Sequence, residues 1–470
     1  MHLVAIGGSD AGISAALRGR ELDGSCDVTV VVADAYPNFS ICGIPYYVSG
    51  EVTHWTNLAH RTIADLEGTG MTLRLDTVAR RIGVADHELT VTDAEGREQV
   101  LPYDALVVGT GALPIRPSIE GLGGADPLGP VDGVHLLHSM GDTFAVMETL
   151  EGTGAGSAVI VGAGYVGLEM AEALVARGLA VTQIEQLPEV LPTVDPELGA
   201  LVHAQLADHG VDVRTRTVVT GIARAPAGGP GRLEVRATGE GGAAVHRADL
   251  VLVVVGVRPD SALAAAAGAE LGVRDAIAVD RSMRTNLADV FAAGDCVTTG
   301  HRLLGVTYLP LGTTAHKQGR VAGENALGGH RAFSGSLGTQ VVKIFEMAAA
   351  RTGLRDHEAL AAGFEPVTVA HEADDHKAYY PGSHRISMRV TGDRRTGRLL
   401  GVQLFGHRHA EVAKRIDIAA VSIFHGMAVD EVSDLDLSYT PPLGSPWDAV
   451  QAGAQAWVRE VAPAPFPTGA

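Results

Sequence analysis

The chain has 470 residues, 46% of them hydrophobic, and a formal net charge of −19; the length exceeds one ordinary core and fits about three domains of roughly 150 residues each. The acidic balance argues against nucleic acid or an anionic membrane as partner, so a phosphate ligand has to be met by local groups. Three cysteines make no disulfide framework and fit a reducing compartment, and the 59 glycines follow no collagen period.

Residues 3–6 form an apolar strand running into Gly7, Gly8, Ser9, Asp10, Ala11 and Gly12, after which residues 13–22 read as a helix. That order makes a phosphate-binding unit, with the helix N-terminus offered to a pyrophosphate. Gly7 and Gly12 hold the first and third glycine positions, but Ser9 stands in the middle. The strand over 28–33 ends in Asp34, placed either to take the ribose hydroxyls of an adenosine or to close a turn. Residues 38–50 carry Cys42, with Pro45 in the first turn of an expected helix. A thiol at a helix N-terminus ionises below the free value of about 8.5; the alternative is a small packed hydrophobe. A helical stretch over 62–67 and an alternating region through Thr92 follow, then a strand over 105–108 ending in Gly109, Thr110, Gly111 and Ala112. The glycine-rich run 120–133 reads as a surface insertion.

Residues 157–185 carry the most specific signal: strand 158–161, then Gly162, Gly164 and Gly167 at full spacing, helix 168–177, and strand 181–184 ending in Glu185. The first glycine makes the turn, the second admits the pyrophosphate, and the third lets helix pack on strand. A carboxylate at Glu185 favours NADH, because it would repel a 2′-phosphate. Strands are expected over 211–248, broken by a turn at 226–231, and a buried strand over 250–255 precedes Gly256. The strand from Val290 delivers Asp295, and a helix starts near Gly312. From Gly338 the pattern changes to alternating strands with two helices, and the tail after Val461 is Pro- and Ala-rich.

Two nucleotide folds, the first interrupted by the second and followed by a mixed final domain, resemble the flavin-dependent pyridine nucleotide-disulfide oxidoreductases over nearly the whole chain. The resemblance implies an α/β protein with two Rossmann-like dinucleotide-binding domains and a C-terminal α+β dimerisation domain. The expected boundaries are 1–118 with 283–330 for FAD, 119–282 for NAD(P)H, 331–460 for the interface and 461–470 for a frayed tail. It puts FAD on Gly7 to Gly12 with Asp34, on Thr110, Gly111 and Ala112, and on Gly294 and Asp295, the last at the ribityl chain. Pro310, Leu311, Gly312 and Thr313 open a helix whose dipole would stabilise reduced flavin. NADH, with NADPH as second candidate, is expected on Gly162, Gly164, Val166, Gly167, Glu185 and Gly256; Tyr165 would cover the flavin face, with Glu169 nearby.

The subfamily rests on Cys42. Two-cysteine members carry a second cysteine four residues away, and none lies near; with Phe39, Gly43, Pro45 and Tyr46 the stretch looks like the single-cysteine branch of coenzyme A-disulfide reductases, NADH oxidases and NADH peroxidases. This implies a mixed disulfide between Cys42 and a small coenzyme A-like thiol, with an acid for the departing sulfur. The branch supplies that acid from the partner subunit of a homodimer, and Tyr439, then Tyr380, then Tyr379 are the candidates; each reads otherwise as a packing residue. Asn38 and Phe39 flank the thiol ligand, and Arg20 and Arg61 either meet its phosphates or are solvated surface arginines. Two departures stand out: Asp10 replaces a histidine of the peroxidases and many oxidases, and Asn38 and Ile41 occupy places where many members have serine and asparagine.

No apolar run is long enough to span a bilayer, and a strand at Leu3 leaves no room for a signal peptide, so a cytoplasmic enzyme is expected. The pairs His135 and His138, His371 and His376, and His407 and His409 lack accompanying cysteine or carboxylate clusters, so no metal site is expected. Alternatives to disulfide reduction are an NADH oxidase cycling through a sulfenic acid, an electron-transfer reductase for a protein partner, and a slow redox-signalling flavoprotein.

Overall fold

The computed structural model describes residues 1–152, 154–226 and 231–461, which fall into two compact units. The first holds residues 1–118, 129–154 and 253–336, the second 119–128, 155–252 and 337–470.

The first unit is built on a parallel sheet in the order Val290–Ala292, Ala105–Val108, His2–Ile6, Asp27–Val31, Thr72–Arg74. Its inner strands are nearly continuous apolar runs, Ala105–Val108 wholly so, because both faces are covered, while the edge strand Thr72–Arg74 is partly exposed. On one face lie the helices Asp10–Leu22 and Gly312–Ala326, packed backbone to backbone: a Cβ on Gly319 would sit 2.3 Å from the Ala11 carbonyl oxygen, and one on Gly323 2.3 Å from that of Ala15. On the other face Val4 and Leu106 share a core with Leu89 and Leu101 of an antiparallel sheet, Val78–Gly83, Glu88–Thr92 and Glu98–Pro102.

The second unit contains the neighbouring strands Asp212–Arg214, Ala180–Ile184, Ser157–Val161 and Leu250–Val253, with the first two pairs parallel. Its largest sheet is antiparallel, Gln340–Ile344, Met347–Gly353, Leu399–His407, Arg385–Asp393, Pro366–Asp374. The helix Ala449–Val461 lies on it, the Trp457 indole N–H donating to the Val367 carbonyl at 2.8 Å.

Several expectations are corrected. The two helices after the glycine turns begin at Asp10 and Tyr165, three residues early, because the third glycine lies inside the first helical turn rather than before it. The run 120–133 is exposed over 123–127 as expected of a surface insertion, but it is anchored: Leu122 and Leu128 are buried, and the Ile222 N–H donates to the Glu120 carbonyl at 2.8 Å. Beyond Gly338 four helices occur among the described residues, since Asp356–Ala361 and Val429–Ser433 are too short to show a helical period. Of the tail, Val461 ends the last helix and the rest lies outside the described residues, as does most of the turn at 226–231. In packing, residues 129–154 and 253–282 group with the first unit, which does not bear on the nucleotide each segment holds. Among the described residues no helix is long and apolar enough to cross a membrane.

Candidate active site

The two glycine turns are near copies, and their geometry explains the imperfect first fingerprint. Gly7 has φ +111° and Gly162 φ +107°, a region that favours glycine. A Cβ on Gly12 would lie 2.1 Å from the Gly7 carbonyl oxygen, and one on Gly167 2.3 Å from that of Gly162. The middle position differs: Ser9 is extended (φ −105°, ψ −154°), and a Cβ on Gly164 would meet nothing within 4 Å. Ser9 therefore fits where the fingerprint asks for glycine. Neither Ser9 nor Gly164 caps its helix with a side chain, and Leu311 does not cap Gly312–Ala326. Helix-terminal amides at all three places lack side-chain capping, the arrangement that receives phosphate or other negative charge.

The acids at the strand ends are built into the turns. Glu185 is buried and accepts from the Ala163 N–H at 2.8 Å and the Leu187 N–H at 2.9 Å; Asp34 accepts from the Tyr36 N–H at 2.9 Å. Each still has acceptor capacity for a ribose hydroxyl. Thr110 Oγ1 donates to the Asp260 carbonyl at 2.5 Å, and Ile115 donates to Gly256 at 2.9 Å, tying the two crossover segments of the first unit. Tyr165 opens its helix with Val166 exposed beside it and Glu169 one turn on; burial pushes the Tyr165 phenol up to about 12, and Thr193 Oγ1 donates to its oxygen at 3.4 Å.

Asp295 follows Gly294, whose N–H donates to Gln318 Oε1 at 3.0 Å. Its Oδ1 is buried without a hydrogen-bond partner, and burial, then the charge of Asp10, pushes its pKa up to about 6. An orphaned buried carboxylate oxygen among uncapped helix ends wants a hydroxyl donor, which fits the ribityl chain of a flavin dinucleotide. Asp10 lies against Gly312, where a Cβ would meet its Oδ2 at 2.8 Å. Sequence reading missed what holds Asp10: His316 Nε2 is 3.3 Å from Oδ1, and its Nδ1 is 3.0 Å from Ser14 Oγ. The signal available was the spacing of His316, one turn beyond Gly312. Thr313 is exposed, its carbonyl accepting from Lys317 Nζ at 3.0 Å, and Pro310 precedes the helix.

Cys42 is exposed in the single turn Ile41–Gly43, whereas Cys26 and Cys296 are buried, the latter's thiol pushed up to about 11 by burial. The helix after it, Ile44–Ser49, has only six residues, which weakens the dipole expected to act on the thiol. The segment is held by main chain instead. The Asn38 N–H donates to the Gly8 carbonyl at 2.6 Å, His60 N–H to Asn38 at 2.9 Å and Ser40 N–H to Leu58 at 2.8 Å, with Phe39 buried beside them. Asn38 adopts φ +59°, and Arg61 Nη1 is 3.5 Å from its Oδ1, so these two candidates meet. Arg20 does not join them: its guanidinium donates to the carbonyls of Thr69 at 2.8 Å and Cys26 at 2.7 Å, a structural tether.

In the second unit Tyr379, Tyr380 and Tyr439 are all exposed. The Lys377 N–H donates to the Pro441 carbonyl at 3.4 Å and Tyr380 N–H to Lys377 at 2.8 Å, which brings the two tyrosine segments together. Among the described residues no three metal-ligating side chains come together to hold an ion.

Two glycine turns with acids at their strand ends, an orphaned carboxylate and one exposed thiol define an oxidoreductase that carries two dinucleotides. The chain belongs to the pyridine nucleotide-disulphide oxidoreductases: that family's model matches residues 1–319, and its dimerisation-domain model residues 339–449. Its cofactors are accordingly FAD and a pyridine nucleotide. The chain is 35% identical to the "NAD(P)H sulfur oxidoreductase (CoA-dependent)" of Pyrococcus abyssi over 95% of this chain and 96% of the relative. It is 30% identical to an NADH oxidase of Methanocaldococcus jannaschii over 97% and 98% of the two chains. Among solved structures, the NAD-dependent persulfide reductase from A. fulgidus is 37% identical with a TM-score of 0.90, covering 98% of this chain and 83% of that one.

Proposed function

We propose that the protein reduces the disulfide or persulfide of a small coenzyme A-like thiol with electrons from NADH, through Cys42. The observation that carries this is that Cys42 alone of the three cysteines is exposed, on a segment tied to the Gly8 turn. On this reading the flavin, when bound, passes a hydride's two electrons from nicotinamide to sulfur. Cys42 attacks the disulfide as thiolate: its S–S bond to one thiol forms as the substrate's breaks, and the departing sulfur takes a proton. Two electrons and a second proton then release the bound thiol, so that NADH, a proton and one disulfide give NAD⁺ and two thiols. Asp295 takes the ribityl hydroxyls, and Asp34 and Glu185 the two adenosine riboses. Residues 1–118 and 283–330 hold FAD, 119–282 the nicotinamide nucleotide and 331–460 the subunit contact. Tyr439, with Tyr380 and then Tyr379 as the further candidates, supplies the proton to the sulfur that departs at the Cys42 site of the other subunit, with Arg61, Asn38 and Phe39 lining the thiol. A reducing cytoplasm suits such chemistry.

Mass spectrometry of the unreduced protein tests the reading: a thiol adduct on Cys42 is expected, and Cys42→Ser abolishes disulfide-dependent NADH consumption under nitrogen. The M. jannaschii oxidase at 30% identity favours a second reading, oxygen reduction through a Cys42 sulfenic acid; an unadducted Cys42 with fast turnover in air alone would select it. Disulfide-independent transfer to a protein acceptor that survives Cys42→Ser would sink both.

A further inference from the structure

Two carboxylates stand by the uncapped start of the helix Gly312–Ala326. Asp10 lies against Gly312, and the Leu311 N–H bonds Asp295, whose ionisation Asp10 in turn disfavours. Burial pushes the Asp10 carboxyl up, while His316 and then His60 draw it back. On the reading above the flavin is held at these residues. A hydride brings it two electrons with one proton, so reduction adds a net negative charge where two acids already stand, an arrangement that disfavours ionised groups unless a cation appears beside them.

The setting of His316 allows that cation to form. Its Nε2 is 3.3 Å from Asp10 Oδ1, and its Nδ1 is 3.0 Å from Ser14 Oγ. A carboxylate only accepts, so Nε2 keeps its hydrogen in either state of the ring. A hydroxyl both donates and accepts, so Ser14 donates to a bare Nδ1 and accepts from a protonated one, and the ring gains a proton at Nδ1 without losing a hydrogen bond. A main-chain carbonyl or amide at that place would serve one form only. The side chain is 44% exposed, so water delivers the proton directly and no relay is needed.

The other charged groups around it are engaged elsewhere or stand farther off. On its own helix Lys317 donates to the Thr313 carbonyl at 3.0 Å and Arg320 pairs with Glu21 at 3.2 Å. On the facing helix Arg18 pairs with Glu324 at 2.6 Å. From the thiol segment comes His60, its ring centroid 6.3 Å from that of His316.

We propose that His316, held between Asp10 and Ser14, is a positioning residue for charge that takes one proton from water at Nδ1 when the flavin is reduced and releases it when the electrons pass to sulfur. This rests on the reading above, which puts the flavin at these residues. NADH supplies two electrons and one proton. The further proton that completes NADH, a proton and one disulfide to NAD⁺ and two thiols waits on His316, where its positive charge offsets the negative charge left by the hydride. As the electron pair breaks the S–S bond between Cys42 and the bound thiol, the imidazole returns its proton to solvent, from which a thiolate takes one. Asp10 stays a carboxylate throughout.

The test uses flavin-loaded protein carrying Cys42→Ser, in which the flavin is the sole two-electron acceptor. It is reduced with NADH under nitrogen in weak buffer, with proton consumption read by an indicator dye and the flavin potential by dye equilibration across pH. Around pH 7, where an imidazole ordinarily titrates, one proton is expected to disappear per NADH oxidised, and none once His316→Gln is added. The potential should fall with pH as for two protons per electron pair in that window, and as for one proton in His316→Gln. Asp10→Asn should keep the uptake and move its window to lower pH, because the imidazolium has lost its neighbouring carboxylate; a merely structural role would alter flavin content and neither of these readouts. If His316→Gln does not hold flavin, Asp10→Asn decides, an unmoved window overturning the inference. Uptake that persists in His316→Gln, that vanishes in His60→Gln instead, or that is absent from the Cys42→Ser parent also overturns it. Asp295→Asn with undiminished flavin content overturns instead the placement of the flavin on which the inference rests.

Discussion

Ser9 and Gly164 occupy equivalent places in two turns of one geometry, and they separate what the backbone needs from what a ligand needs. Extended backbone with open space at the Cβ accepts any small residue, so Gly164→Ser should keep the melting temperature, within about 0.5 kcal/mol of stability, while raising KM for NADH. Gly7→Ala should fail outright: a Cβ there would stand 2.0 Å from the Gly109 carbonyl oxygen at φ +111°, a cost of roughly 3 kcal/mol or more, read as loss of flavin and fold. Asp295 gives a pH prediction. Its folded pKa, about 6, lies above the ordinary carboxylate range because burial and then Asp10 disfavour the charge. The protonated form's contribution is fully present below the unfolded value and is lost as pH rises through about 6. In flavin-free protein Asp295→Asn should therefore raise the melting temperature at pH 8, by roughly 2–3 kcal/mol of stability, and leave it unchanged near pH 3.5. In loaded protein the same change should weaken flavin retention.

Elements were legible where one local signal sufficed. The strands before Gly7 and Gly162, the helix at Gly312 and the thiol turn at Cys42 all follow from apolar runs meeting glycine or proline. What sequence could not supply were contacts between distant segments: His316 reaching Asp10, Arg20 spent on Thr69 and Cys26, and Leu122 and Leu128 drawn under cover beside Ile222. The helix Pro196–Asp208 shows the same lesson. Its N-terminal residue Asp195 does not cap it; the buried carboxylate takes Arg389 Nε at 2.5 Å and Gln403 Nε2 at 2.9 Å instead. Asp195→Ala leaves the largely buried Arg389 guanidinium only the exposed Glu197 at 3.4 Å and leaves the buried Gln403 amide unpaired on that side, and should cost about 3 kcal/mol, measured by urea unfolding, with little effect on NADH affinity.

For the molecule as a whole, the match to the dimerisation-domain model over 339–449 makes the working particle a dimer. Leu443 and Trp447, 79% and 55% exposed within that span, are large apolar groups that a subunit contact would cover. Trp447→Lys is expected to shift light-scattering mass from twice that of one chain toward a single chain. If the proton donor comes from across the interface, disulfide turnover falls with it while flavin reduction by NADH persists. On the proposed reading, a chain of charge −19 leaves the attraction of a phosphorylated thiol to Arg61 and its surroundings, and added salt should then change KM for coenzyme A disulfide only modestly.

The amide of Asn38 grips the carbonyl of Gly8, so the loop that carries Cys42 is moored to the bend proposed to cradle the pyrophosphate. If that bend holds the flavin's pyrophosphate as proposed, emptying it is expected to loosen the mooring. A preparation stripped of its yellow colour should thus present Cys42 to iodoacetamide at an altered rate, and re-adding the dinucleotide should restore the original one before any electron has moved.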